Sequence, residues 1–271
     1  MIARLPAPVR AAGRRLLGDR GLWWYVRLTD LRRQRQDEKD PRYQASVKRL
    51  QALRNRHLGQ RCFIIGNGPS LKQTDLTLLK NEFTFGLNRI YLLFDQMGFA
   101  TTYSVTVNRL VIEQCGRELA GMPCPKFISW HARDLIDFSD DMMFLHSRDE
   151  PSFYTDVTRG VWEGATVTYV AMQVAYHLGF QKAILVGVDH SFATQGQPNS
   201  TVVSEGDDPN HFDPHYFGKG FRWQLPDLET SELAYRIARW HYSVAGREIV
   251  DATIGGKLQV FPKVEYQSLF K

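Results

Sequence analysis

Cysteine is scarce in this chain: Cys62, Cys115 and Cys124 are its three thiols in 271 residues. Three cannot all pair and their spacing fits no metal motif, so reduced core thiols are expected, as in a cytoplasmic protein. No apolar run approaches the roughly 18 residues that a spanning helix needs. Arg4, Arg10, Arg14 and Arg15 interrupt any apolar segment near the start, so no secretory signal is expected. Serine, abundant in transit peptides, first occurs at Ser46. Asp-x-Asp does not occur, which removes the usual carboxylate clamp for a metal-bound nucleotide-sugar diphosphate. No Gly-Lys-Ser/Thr follows a glycine loop, which removes the Walker type of phosphate site. There is no internal repeat and no low-complexity tract.

What is present is an ordinary globular composition, 43% apolar and 23% charged. That suits one sizeable α/β core, or one core with a small subdomain. The net charge of +5 is unevenly spread. Residues 1–56 carry 15 Lys and Arg against 5 Asp and Glu, net +10, and the remaining 215 residues carry 19 against 24, net −5. Residues 1–58 therefore read as a basic helical arm. "LWWYVRLTDL" (22–31) sets aromatic and aliphatic anchors between arginines, and Val47, Leu50 and Leu53 share a helical face that Gly59 ends. Two readings of the arm stand: a helical layer packed on the body, or a peripheral anchor on an anionic membrane surface with Trp23 and Trp24 at the interface. A nucleic-acid partner is not expected, because the body is acidic and shows no nucleic-acid-binding motif.

From residue 61 strand-like and helix-like runs alternate. Strands are predicted at 61–66, 83–88, 102–108, 126–130, 142–146, 182–189 and 248–252, with helical patterns at 71–80, 109–119, 165–179 and 229–245. This alternation predicts an α/β fold with a doubly wound, mostly parallel Rossmann-like sheet, an N-terminal helical arm and a lid-like insertion. The insertion is 190–228, rich in Gly, Pro, Asn and Asp and too long for an idle connection. The domain division is thus an arm at 1–58 and a Rossmann-like domain at 59–271 that carries the insertion.

Several predicted strands stop at a polar residue: Asn67, Asn88, Asn108 and Asp189. In open α/β sheets ligands bind beyond the carboxyl ends of the strands, so these side chains are expected in one cleft. An amide offers both donor and acceptor, which suits sugar hydroxyls, a ribose or a pyrimidine edge. In "GNGPS" (66–70), Gly68, Pro69 and Ser70 open a helical turn whose backbone N–H groups could hold a phosphate. His211 and His215 lie four apart with Pro214 between them, which disfavours a shared helical face. A general base on a mobile loop, a structural pair and a metal pair all remain open for them.

"IIGNGPSL", "LNRIY", "VNRLVIEQ", "AYHLGFQKAILVGVD" and "HYFGKG" occur in this order. The order and spacing resemble bacterial sialyltransferases of glycosyltransferase family 42, and the wider MptE-like (DUF115) group named for an archaeal pterin diphosphokinase. The resemblance covers about residues 61–255 and implies a GT-A-like variant of the sheet. It implies that Asn67, Asn88 and Asn108 contact a CMP-sugar donor, that Gln114 lines the sugar pocket, and that Gly187 and Asp189 meet the cytidine. His215, in the His-Tyr-x-Gly motif, would be the general base, with His211 as its understudy. No metal or other cofactor is implied; the CMP-sugar is a co-substrate. The tyrosines that hold the departing phosphate in that family are replaced here by His190, Ser191 and Phe192, so His190 or Tyr216 is expected to help instead. The family's Thr-Ser-Gly serine falls near Thr166, and its preceding arginine has only the displaced Arg159 as counterpart.

The reading that follows is a metal-independent, inverting glycosyltransferase that uses a sialic acid or other nonulosonate-type CMP-sugar to extend a bacterial surface glycan. Its expected partners are the donor, a glycan or glycolipid acceptor, and an anionic membrane surface through residues 1–56; a homo-oligomer is left open. The expected location is cytoplasmic, peripheral on the cytoplasmic face of the inner membrane. The alternatives are an ATP- and Mg²⁺-dependent pterin diphosphokinase and a non-catalytic nucleotide- or glycan-binding module.

Overall fold

The computed structural model describes residues 7–271. The first six residues of the basic arm, Arg4 among them, lie outside the described residues. By the density of its internal packing the chain divides into two compact units, 1–48 and 49–271. The first unit holds α1 (Ala7–Asp37), two helical stretches joined at Gly18, whose φ of 64° breaks the helical path. The second helix, α2 (Pro41–Leu53), starts on a proline, whose fixed φ suits a first turn. The division falls inside α2 rather than at residue 58. The physical reason is that Leu50 is buried in the core of the second unit, and Asn55 N and His57 N donate to the carbonyls of His177 and Leu178.

Every strand-like run becomes a strand of one sheet. They are β1 (Arg61–Ile65), β2 (Phe83–Leu87), β3 (Tyr103–Thr106), β4 (Lys126–Ser129), β5 (Met142–Leu145), β6 (Lys182–Val186) and, after the insertion, β9 (Glu248–Asp251). The insertion adds a two-stranded antiparallel sheet of β7 (Thr201–Val203) and β8 (Arg222–Gln224). The seven-stranded sheet has the order β5-β4-β3-β2-β1-β6-β9 with every pair parallel, a doubly wound Rossmann-like arrangement. Buried on both faces, the strands read as near-continuous apolar runs such as Cys62-Phe63-Ile64-Ile65.

Three longer helices complete the layers: α4 (Arg109–Gly121), α5 (Val167–His177) and α6 (Leu228–Val244). A single turn, α3 (Phe94–Met97), precedes them. The helix α5 is buried almost along its length. Val170, Ala171 and Val174 join Cys62, Ile64 and Leu185 of the strands in the main core, where burial of a valine, isoleucine or leucine side chain contributes about 1.5–3 kcal/mol through lost water contact. Phe63 points to the other face and stacks on Phe270 at 5.8 Å. The helix expected at 71–80 is instead two 3₁₀ turns, Pro69–Gln73 and Leu76–Leu79. Thr74 is extended, and Asp75 caps the second turn by accepting from Thr77 N, so the helical ladder cannot run through.

The three cysteines are unpaired and buried. Burial pushes all of their thiols up from the ordinary value, which makes them poor nucleophiles.

Candidate active site

The chain runs outward from β1 to β5 and then jumps back across β1 to β6, so strand order reverses between β1 and β6. This is the switch point at which open α/β sheets bind ligands. A cavity of about 460 Å³ opens there. Its floor is the carboxyl ends of the strands: Gly66 to Gly68 after β1, Asn88 after β2, Asn108 after β3, and Gly187 to His190 after β6. The N-terminus of α5, Ala165 to Thr168, forms one wall, and residues 190–228 form the roof with Phe217, Trp223 and Leu225.

The backbone is strained around this rim. Asn88, Ala165, His190 and Asn199 all have positive φ, at 49°, 58°, 53° and 63°, and all line the cavity. Asparagine visits this region readily; alanine and histidine do so at a cost of about 1–2 kcal/mol each. Such strain persists where surrounding packing fixes it, and it gathers at functional sites.

The amides expected in the cleft are there, but they differ in kind. Asn108 is the N-cap of α4: its Oδ1 accepts from Leu110 N at 2.9 Å and Val111 N at 3.3 Å, so only its amide nitrogen is spare. The Oδ1 atoms of Asn67 and Asn88 are buried without a hydrogen-bond partner. Leaving such an acceptor unmet costs roughly 1–3 kcal/mol. Both residues line the cavity, and turning either amide towards it would offer its oxygen to a hydroxyl or an amine there.

The glycine loop departs from expectation. Gly68 N donates to Gly187 O, Ser70 N donates to Asp189 Oδ1 at 3.1 Å, and Pro69 has no N–H. Ser70 Oγ also donates to Asp189 Oδ2 at 2.6 Å. The chain's own carboxylate therefore occupies the place a phosphate would take, and neither Pro69 nor Ser70 lines the cavity. Burial pushes the Asp189 carboxyl up, against the opposing pull of the two Ser70 donors. Asp189 still lines the cavity, next to Gly187, whose positive φ of 69° turns the chain there.

The histidines exchange places. His215, expected as the base, is exposed and outside the lining. Its N donates to Asp213 Oδ1 at 2.7 Å, and its carbonyl accepts from Arg89 Nη1 at 3.1 Å, which holds that stretch of loop by its backbone. His211 lines the cavity. Its Nδ1 lies 2.7 Å from Oδ2 of Asp208, whose side chain is almost fully buried. Asp208 is itself fixed, accepting from Asn210 N at 2.8 Å and Phe217 N at 3.1 Å. A carboxylate at Nδ1 selects the tautomer with the proton on that nitrogen and leaves Nε2 as the acceptor.

Tyr216 is fully buried beneath His211, its ring stacked at 4.1 Å, and so props the imidazole instead of reaching a phosphate. Its hydroxyl accepts from Arg89 N at 3.3 Å, and burial pushes its ionisation up. Arg89 also donates to Tyr216 O and lies against the rings of Tyr91, Tyr216 and Phe221, latching the loop to the end of β2. Gln114, expected in the sugar pocket, is spent elsewhere. Its amide pairs with both Arg222 N and Arg222 O, tying α4 to β8.

The remaining expected residues meet the cavity. Thr166 caps α5, accepting from Thr168 N at 3.3 Å. His190 Nε2 lies 3.2 Å from Glu232 Oε1. Sequence reasoning missed Asp208, although an Asp three residues before a His in a turn-rich loop is a usable signal. It also missed His131 and Arg109; the latter is the single arginine or lysine on the lining among the described residues. Among those residues no group of three or more His, Cys, Asp or Glu side chains could share a metal ion. The acids of the lining are engaged: Asp189 with Ser70, Asp227 with Thr230 and Asn199, and Glu163 with Ser147.

No protein-family model matches the chain, and no curated protein matches it. Seven chains of solved structures are similar. One is the MAf glycosyltransferase from Magnetospirillum magneticum AMB-1, at 15% identity and a TM-score of 0.51, with 84% of this chain and 39% of that one covered. This chain thus spans about two fifths of the length of that structure, and the likeness is one of fold: an α/β, Rossmann-like sheet flanked by helices.

Proposed function

We propose that the protein is a glycosyltransferase that moves a sugar from a CMP-activated, nonulosonate-type donor to a hydroxyl of a surface glycan, with inversion. The observation that carries this reading is the Asp208–His211 pair at 2.7 Å, fixed over a cleft whose floor holds Asn67 and Asn88, the Oδ1 atom of each without a partner. The fold likeness to the MAf glycosyltransferase supports it.

In the proposed reaction an acceptor hydroxyl attacks the anomeric carbon. The new C–O bond forms as the bond to the donor phosphate breaks, and the hydroxyl proton passes to His211 Nε2. Asp208 then faces an imidazolium and stabilises it, the task a carboxylate performs behind a catalytic histidine. Asn67 and Asn88 accept from hydroxyl or amine groups of the donor. CMP departs with charge growing on its phosphate. The loop at 68–70 has no free donors for it, and Thr166 N already donates to Glu163 O, so that task falls to Val167 at the N-terminus of α5, with Arg109 and His190 also on the lining. A single arginine on the lining suits a monophosphate ester better than a triphosphate. The roof of 190–228 keeps water from the donor, which limits wasteful hydrolysis. The reaction as written calls on no metal.

The test combines binding and turnover. A thermal-shift series with CMP, CTP and ATP, with and without Mg²⁺, is expected to show stabilisation by CMP. A CMP-sugar assay with a panel of glycan acceptors, run in excess EDTA, is expected to release CMP. Stabilisation by ATP and Mg²⁺ but not by CMP points to diphosphate transfer instead. Tight CMP binding with no turnover of any CMP-sugar points to a sensing module.

A further inference from the structure

We propose that α1 docks the protein on an anionic lipid surface through the face that carries Arg20, Trp24, Leu28, Arg32 and Arg35. These five follow one another at spacings of four, four, four and three, which stacks them on one side of an α-helix. All five are exposed, Trp24 at 58% and Leu28 at 51%. Tyr25, 56% exposed, adjoins them, three residues before Leu28. Leu16, 83% exposed, lies just ahead of the break at Gly18.

The pattern on this face is an apolar centre between cationic ends. By the same register Asp19 and Asp37 fall about half a turn from Leu28, on the opposite side. A tryptophan ring sits well at the level of lipid headgroups, and arginines beside it meet their phosphates. Residues 1–56 carry a net +10 while the rest of the chain carries −5, so attraction to an anionic surface centres on this arm. No helix among the described residues is long and apolar enough to cross a membrane, so the contact is peripheral. A second copy of the chain fits the face poorly, because pairing it with itself in antiparallel sense sets Arg20 against Arg32 and Arg35 of the other copy. This inference is independent of the donor site and of the reaction proposed above.

The test uses the full chain and vesicles of phosphatidylcholine alone or mixed with phosphatidylglycerol. Sedimentation is expected to show at least about tenfold tighter binding to the mixed vesicles, weakening as salt rises. The double variant Trp24→Ala/Leu28→Ala and the triple variant Arg20→Gln/Arg32→Gln/Arg35→Gln are each expected to lose about tenfold or more. Both should keep the wild-type thermal midpoint, because the changed side chains are exposed. If the apolar variant does not fold, the arginine variant decides the matter alone. Equal affinity for the two vesicle types, no binding to either, or binding unchanged in the folded variants overturns the proposal. So does a dimer in solution that the apolar variant abolishes.

Discussion

Asp189 and Ser70, 119 positions apart in the chain, are joined by two hydrogen bonds, at 3.1 Å to the serine N–H and 2.6 Å to its hydroxyl. The end of β6 therefore clasps the loop that follows β1 across the switch point. The glycine between them is required for space: a Cβ on Gly68 would lie 1.8 Å from Asp189 Oδ2. That carboxylate, and not a ligand phosphate, explains the small residue.

Gly68→Ala is thus expected to push the clasp apart and destabilise the protein by about 1–3 kcal/mol, the usual cost of overpacking. Urea unfolding measures it. An unchanged midpoint would show that the Asp189 side chain can move aside freely.

His211→Ala is expected to lower the turnover of a CMP-sugar by about 10²–10⁴-fold while changing CMP affinity little. His215→Ala is expected to stay within about threefold of wild type, since its ring is exposed and off the cleft. Steady-state kinetics on the two variants decides between the histidines, and the reverse ranking would return the task of base to His215. Asp208→Asn should lie between them, retaining the imidazole while losing the charge behind it.

Asn88→Gly separates the backbone from the amide. Asn88 has a φ of 49°, which glycine adopts without strain, so stability is expected to change by less than about 1 kcal/mol. Loss of the amide is expected to weaken CMP-sugar binding by about tenfold, the worth of one hydrogen bond. Titration calorimetry and denaturation on the same sample check both parts. A variant that binds as wild type does would remove Asn88 from the donor site.

Stability is expected to fall as pH drops from neutral towards 5. Burial lowers His57, His177 and His241 from the ordinary value of 6.5, so the unfolded chain takes up protons at these sites before the folded one does. Their contribution to stability is present above 6.5 and is lost as pH falls through the lower folded values. His177, with Nε2 2.8 Å from Leu50 O, is the most enclosed of the three. His177→Gln is expected to flatten the dependence of the urea midpoint on pH, and a slope equal to that of wild type would assign the effect to other groups.

The sheet was legible in the sequence because its strands are buried on both faces. Each therefore appears as a short apolar run between turn residues, whatever its neighbours are. The helical pattern of α4 and α6 was legible for a related reason, one apolar face repeated at helical spacing, while α5 was legible as a longer run buried almost throughout. The run at 71–80 misled because its leucines keep that spacing through two separate 3₁₀ turns, and the break depends on a local cap at Asp75.

By itself the sequence determined which residues reach the cleft from the sheet. A parallel strand delivers whatever follows its carboxyl end to one edge, and so Asn67, Asn88, Asn108 and Asp189 arrive together. What only the tertiary structure decided is what those residues and the loops do on arrival. Asp189 fills the turn that looked ready for a phosphate, Gln114 ties down β8, and the latch from Arg89 holds the stretch that carries His215 outside the cleft. Those outcomes depend on hydrogen bonds closed between segments more than a hundred positions apart. No local spacing encodes them, because the partner of each polar group is chosen by the packed chain and not by its neighbours in sequence.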